Sequence, residues 1–335
     1  MLRTSERSSL KSCEFRWDIE FNMLRKPIVA QPALRYGTLI HKALAAYYVP
    51  GVKRGTNPVK AFDAAYRAEQ RLVQEKFGAR DEDDQWVEAR DLGRGMLINY
   101  LDEYGTDPDW EVLVTEQPFR ILIEKIEDNV KVPWFWYTGV MDGVWRHRRK
   151  KSIWIPDHKT SAGIGGTISH PNMPKHLPLD DQPGAYWSWG VEWLVQEQML
   201  KNNMSLSGMM FNYLRKALPD ERPSKLIDGY RHYLNKDGSV SLKQPSPYFA
   251  RFEVHRDEYD REQAKRRAIL DYSRIERHRS GDIPITKSPG MFTCPNCWAR
   301  DICELHETGA DWESLMAETT QEWDPYDEHN IYDGR

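Results

Sequence analysis

Asp142, Asp157 and Lys159 are spaced so that one β-hairpin would bring them together. The basic run RHRRKK (146–151) reads as the turn. With that turn centred between Arg149 and Lys150, Asp142 falls opposite Asp157, and Lys159, two residues on, shares the same strand face. Two carboxylates facing one point repel unless a cation sits between them, and hard oxygen ligands suit Mg²⁺ or Mn²⁺. An amine beside such a metal orients or polarises an attacking water. This is equipment for metal-assisted hydrolysis of a phosphodiester. Taken singly, Asp142 could simply open the MDG irregularity and Asp157 could simply end a strand. Two further features favour the chemical reading: His41 on an otherwise apolar helix face, and Gln182 with Tyr186 one helical turn apart on the same side.

A second group is made of sulfur. The chain has 4 cysteines, three of them as Cys294-x2-Cys297-x5-Cys303 and the fourth, Cys13, near the other end. The first residues, MLRTSERSSLKS, contain no apolar run of a secretory leader, so disulfides are not expected and the thiols read as ligands. One CxxC with a third cysteine close behind and a distant fourth is better matched to an iron–sulfur cluster than to a zinc ribbon with two knuckles. A small zinc site on Cys294, Cys297, Cys303 and His306, with Cys13 inert, is the alternative.

These residues need elements to carry them. Segments 35–48, 58–77 and 85–104 repeat apolar residues at three- and four-residue intervals and are expected to be helices. From Trp110 the pattern changes to β-branched and aromatic runs, giving three expected strands at 110–124, 133–148 and 151–159. A loop rich in Gly and Pro (162–178) precedes an expected helix at 181–200 and a strand at 207–216. After a polar excursion (219–245) come a strand at 248–254, a charged helix at 256–280 and the cysteine-rich end. There is no internal repeat.

With 335 residues the chain is long enough to bury a sizeable core, and its mean hydropathy of −0.73 and lack of a long apolar run point to a soluble, cytoplasmic protein with no membrane partner. The net charge of −4 excludes a wholly cationic nucleic-acid binder but not local basic patches. Residues 311–335 are acidic, with Arg335 as their only Lys or Arg, and are expected to form a mobile tail. No GxxxxGK[ST] phosphate loop occurs, so no ATP-driven motor is expected in this chain.

Gly37-Thr38-Leu39-Ile40-His41, Gly139-Val140-Met141-Asp142, Asp157-His158-Lys159-Thr160, Gln182-x3-Tyr186 and the cysteine quartet occur in the order that resembles the RecB-like branch of the PD-(D/E)xK nuclease superfamily. The likeness is strongest to its iron–sulfur members, such as the AddB nuclease domain and related CRISPR-associated and phage exonucleases. It spans nearly the whole chain. Pro156 before Asp157 departs from the aliphatic residue often found there, yet it matches the PD of the superfamily signature.

The resemblance implies an α/β fold: a restriction-endonuclease-like core of helix, three-stranded antiparallel meander, helix and strand. A helical N-terminal insertion and an Fe–S-stapled C-terminal segment would complete it. It implies one domain over 1–310, with a helical part at about 34–104, a nuclease core at about 110–255, and a C-terminal helix and cluster-binding segment at 256–306 joined to Cys13. It further implies that His41, Asp142, Asp157 and the carbonyl of His158 hold Mg²⁺ or Mn²⁺, that Lys159 positions water, and that Gln182 and Tyr186 support the lysine or contact DNA. Glu116 lies where many relatives carry an acid on the first strand, and a solvated strand carboxylate is its plainer reading. Cys13, Cys294, Cys297 and Cys303 would hold a 4Fe–4S cluster.

The implied activity is exonucleolytic trimming of DNA, single-stranded or with free ends, in recombination, repair or spacer capture. The setting would be a bacterium or its phage, with a helicase or recombinase companion. DNA would be gripped by its backbone through Lys and Arg, the RHRRKK turn included. That turn lies roughly 23 Å along the strand from the acids, too far to join the chemistry. A nonenzymatic Fe–S DNA-binding or scaffold subunit, and a zinc-stapled hydrolase acting elsewhere, are the competing readings.

Overall fold

The computed structural model describes residues 1–28, 32–77, 84–200, 206–219, 221–228 and 230–327. The chain opens with strand β1 (Leu2–Arg3), helices α1 (Thr4–Ser12) and α2 (Glu14–Trp17), a π-turn at Asp18–Asn22 and strand β2 (Arg25–Pro27). Three long helices follow: α3 (Pro32–Tyr47), α4 (Pro58–Phe77) and α5 (Asp84–Tyr104). Tyr36, Leu39, Ile40, Ala43, Leu44 and Tyr47 form one buried stripe of α3 at helical spacing. Asn57 caps α4 by accepting from Val59 N at 3.0 Å, and Pro58 sits at the first helical position, where a missing N–H costs nothing. Gly93 of α5 lies against the Phe62 ring, and a Cβ there would fall 2.2 Å from it, so only glycine allows α4 and α5 to cross so closely.

The sheet begins with β3 (Trp110–Glu127) and β4 (Val130–His147), joined by Asp128-Asn129, both at positive φ as a tight hairpin turn requires. Next come β5 (Ile153–Ser161), a small hairpin of β6 (Gly165–Thr167) and β7 (His170–Asn172), and the short helices α6 (Asp181–Ala185) and α7 (Val191–Gln196), linked by a π-turn at Tyr186–Gly190. Then follow β8 (Leu206–Arg215), the hairpin β9 (Ser224–Ile227) and β10 (Tyr230–Tyr233), β11 (Phe249–His255) and α8 (Glu258–Arg279). Helices α9 (Arg300–Thr308) and α10 (Trp312–Thr319) and strand β12 (Thr320–Glu322) close the described chain.

The main sheet runs β1-β4-β5-β8-β11 with β3 also on β4. Pairing is antiparallel except for β1–β4 and β5–β8, so the sheet is mixed. Both faces are covered. In β8, Met209, Phe211 and Tyr213 join a core under α1, α6, α7 and α8, while Met210 and Leu214 join a second core under α3, α4 and α5. Among the described residues, no helix is long and apolar enough to cross a membrane.

Four departures from the sequence-based expectations have physical causes. The expected helix at 181–200 is broken by the π-turn and ends at Gln196. The polar excursion carries the β9–β10 hairpin. The N-terminal 28 residues, for which no element was expected, form short elements whose Leu2, Leu10, Trp17 and Phe21 enter the main core. The acidic segment expected to be mobile is, from 311 to 327, docked on that N-terminal region. Its charges hide apolar anchors. Trp312, Leu315 and Met316 pack around Phe15 and Ile19, β12 pairs with β2, and Trp323 Nε1 donates to Glu20 O at 3.0 Å. The rest of that segment, 328–335, lies outside the described residues.

Candidate active site

The hairpin register is the one that the turn arithmetic predicts, with Trp145 opposite Trp154 and Arg146 opposite Ile153. The β4–β5 ladder stops after these two pairs. Pro156 offers no N–H to β4, and β5 swings away to pair in parallel with β8 through Ser161. A fork opens between β4 and β5. Asp142 reaches into it and accepts from the backbone N of His158 at 2.6 Å. The meander is thus antiparallel, as expected, but short on its inner side.

Helix α3 brings His41 to the fork, with Nδ1 3.4 Å from Asp142 Oδ1. Glu116 on β3 takes part as well: ligand atoms of His41, Glu116 and Asp142 lie within 4.8 Å of one another. The β3–β4 register places Glu116 opposite Asp142, and Glu116 has a φ of 44°, a left-handed conformation that a non-glycine residue adopts at a cost of order 1–3 kcal/mol. Glu116, the weak candidate of the sequence, is an exposed residue whose carboxylate borders this cluster.

Asp157 is buried, and neither of its oxygens has an aligned hydrogen-bond donor. Lys159 Nζ lies 2.8 Å from Asp157 Oδ2 and donates to Gln182 Oε1 at 2.6 Å. Gln182 Nε2 in turn donates to the Tyr186 hydroxyl at 3.0 Å. The Asp180 side chain caps α6 by accepting from Gln182 N at 3.0 Å, which sets the helix turn carrying this arm.

The electrostatics reflect crowding. Burial pushes the Glu116 carboxyl up, helped by the Asp142 charge, to about 7. Burial also raises Asp157, against the pull of Lys159. Asp142 is held down: burial would raise it, but the imidazole of His41 outweighs burial. His41 shows the same balance from the other side, lowered by burial yet lifted to about 9 by Asp142, Asp157 and Glu116. Burial lowers the Lys159 ammonium, but Asp157 more than restores it and its value is raised. Two carboxyls that resist ionisation beside one that is ionised form a donor set that a divalent cation would relieve. The orphaned oxygens of Asp157 fit such an ion. The donors are oxygen plus one imidazole, which suits Mg²⁺ or Mn²⁺ and tilts towards Mn²⁺.

The side chain of His158 faces the other way. Its Nδ1 is 2.8 Å from Asn212 Nδ2. Arg251 can only donate, so its Nε, 3.2 Å from Asn212 Oδ1, fixes the amide with nitrogen towards His158 and the Tyr100 hydroxyl. His158 Nδ1 therefore accepts, and its proton sits on Nε2. Burial lowers this imidazole to about 3. The network closes through Tyr48, Tyr100 and Asp107, whose oxygens receive Arg251 Nη1 and Nη2 at 2.9 and 2.5 Å. Sequence reading missed this network. Its one visible signal is Asn212, a lone amide inside the apolar strand SGMMFNYLR.

The four cysteines meet although 281 residues separate Cys13 from Cys294 (294 − 13). Cys13, Cys294, Cys297 and Cys303 all line one cavity of ≈ 430 Å³, beside Phe15 and Lys287. Gly290 N donates to Cys294 Sγ at 3.2 Å. Burial raises the Cys297 and Cys303 thiols. His306 is not among the lining residues; its ring packs on Phe15 and Trp312 at centroid distances of 4.7 and 5.2 Å. The basic turn at 146–151 folds back on the α5–β3 loop, Arg149 pairing with Asp109 at 3.1 Å and Arg148 donating to Pro108 O at 2.9 Å.

No curated protein matches the chain. A crystal structure of a candidate exonuclease from Eubacterium rectale is similar to it at 12% identity and a TM-score of 0.41, over 89% of this chain and 86% of that one. The family model of the PD-(D/E)XK nuclease superfamily matches residues 4–304, which takes in the fork, the lysine arm and every cysteine. The chain belongs to the PD-(D/E)XK nuclease superfamily.

Proposed function

We propose that this protein is a metal-dependent deoxyribonuclease of the RecB-like branch, an exonuclease that hydrolyses phosphodiester bonds at DNA ends. The observation that carries this reading is the buried carboxylate of Asp157 beside Asp142, which has the Lys159 ammonium at its edge but no aligned hydrogen-bond donor, with Lys159 held in turn by Gln182. His41, Glu116, Asp142, Asp157 and the carbonyl of His158 would hold one Mg²⁺ or Mn²⁺. When bound, such an ion neutralises charge developing on the phosphate and makes water a better nucleophile. Lys159, kept protonated by Asp157, donates to the attacking water or to a phosphate oxygen. Gln182 accepts from the ammonium and so fixes its direction at the edge of Asp157, and Tyr186 holds the amide in turn. The His158 N–H fixes Asp142 in the orientation that faces the fork.

The cysteine cavity supports a 4Fe–4S cluster over zinc. All four cysteines line that one cavity, whereas His306, the fourth ligand of the local zinc alternative, is not among its lining residues. Its role is that of a staple between the two ends of a single domain. The DNA is held by its backbone, so binding weakens steeply with salt and has slight sequence preference. A helicase or recombinase companion in a bacterial or phage-infected cytoplasm would supply the unwinding for which this chain has no phosphate loop.

The test is direct. Labelled linear DNA should shorten with Mn²⁺ and survive with EDTA, and Asp157→Ala or Lys159→Ala should abolish cleavage while DNA binding persists. Binding without cleavage by the wild type would favour the nonenzymatic subunit, and wild-type digestion by either variant would remove the site. Cys13→Ala should yield a colourless, less stable protein; unchanged iron content would reject Cys13 as a ligand.

A further inference from the structure

Asp181 immediately precedes Gln182 and is the most heavily clamped carboxylate beside the lysine arm. Its Oδ1 accepts from Arg7 Nη2 at 3.0 Å and from Arg267 Nε at 3.3 Å, and Lys11 Nζ lies 2.5 Å from its Oδ2. Arg7 is buried at 1% exposure, and its Nε donates to Asp271 Oδ2 at 2.7 Å. Lys11 also reaches Asp271, at 2.8 Å. Two cations of α1 thus bind α6 and α8 together. Arg7 costs several kcal/mol to bury and remains acceptable only because both carboxylates receive it.

The clamp has a geometric consequence. Helix α6 begins at Asp181 and runs on through the π-turn into α7, so Gln182 lies in the first helical turn, whose N–H groups have no acceptor within the helix. Gln182 must nevertheless keep Oε1 2.6 Å from Lys159 Nζ. Asp180 caps the turn from within, and the α1 clamp fixes it from outside. Three residues on from Asp181, on the same face, a Cβ added to Gly184 would sit 3.0 Å from Ala264 Cβ, so the helix is also wedged against α8.

We propose that α1 braces the lysine arm, with Arg7 and Lys11 as positioning residues that act through Asp181 on Gln182 and so on Lys159. This rests on the role given to Lys159 above. It assigns a function to the N-terminal helix beyond carrying Cys13 at its end.

The experiment is a kinetic double-mutant cycle on the intact protein with Mn²⁺ and labelled linear DNA, using Asp181→Ala, Gln182→Ala and the double variant, with Lys159→Ala as reference. Asp181→Ala is preferred to an Arg7 variant because Asp271 still partners both cations. Displacing a reacting group by about 1 Å costs up to ~10²-fold, so Asp181→Ala should lower kcat ~10-fold or more with KM within about twofold of wild type. In the Gln182→Ala background it should lower kcat no further. Asp181→Glu should restore part of the loss. Wild-type kcat in Asp181→Ala, or an equal additional loss in the Gln182→Ala background, overturns the brace. Should Asp181→Ala not fold, Asp181→Asn, which keeps an acceptor for Arg7, carries the same cycle. Retained cleavage by Lys159→Ala instead overturns the site itself and the brace with it, which separates the two failures.

Discussion

The two faces of β5 treat polar groups in opposite ways. On one face His158 joins Asn212, Arg251, Tyr48, Tyr100 and Asp107, and among the described residues none of the hydrogen-bonding atoms traced in that network is orphaned. On the other, one residue away in either direction, Asp157 lacks aligned donors and Lys159 depends on a glutamine from another element. A saturated buried network is scaffold, because each group is already spent on another. A buried carboxylate left unsatisfied is maintained for something that binds there. The strained φ of Glu116 falls on the unsatisfied side as well.

Breaking the saturated face should cost stability most. Arg251→Met leaves Asp107 without its guanidinium and should lower unfolding free energy by ~3–5 kcal/mol in denaturant titration, while the fraction still folded keeps cleaving. Breaking the unsatisfied face should do the reverse. Asp157→Asn should cut kcat by ~10²–10³-fold, as removal of one transition-state charge partner does, without lowering the thermal midpoint. If Asp157→Asn instead unfolds the protein, the distinction between the faces is lost. Glu116→Gln should raise the Mn²⁺ concentration for half-maximal cleavage by ~10-fold, measured by metal titration.

The smallest effect concerns pH. Burial would raise Asp181, but Arg7, Lys11 and Arg267 hold its carboxyl below the usual range. A depressed carboxyl contributes stability that is complete above its unfolded value, near pH 4, and is lost as pH falls through the folded value. Asp181→Asn should therefore be less stable than wild type at neutral pH and show a shallower loss below about pH 4, followed by thermal melts across that range.

Much of the site was legible because its logic is local. The spacing of Asp142, Asp157 and Lys159 around RHRRKK follows from strand alternation, and Gln182 with Tyr186 from helical repeat. Glu116 stood as a weak candidate because nothing in VTEQPF shows that the β3–β4 register turns it towards Asp142. Arg251 and Asp107 were invisible because their meaning lies in each other, across 144 residues (251 − 107). The acidic segment misled because charge was counted where three apolar side chains decide the docking.

Residue types and their intervals by themselves determined the order of the long helices and of the main-sheet strands from α3 to α8, the hairpin register and the donor chemistry, since these depend on neighbours within a turn or a pleat. Only the tertiary structure decided which carboxylates were left without donors, which imidazole was neutral, and that helix α1 lies against the lysine arm. Those properties are set by burial and by partners distant in the chain, and no local period encodes them.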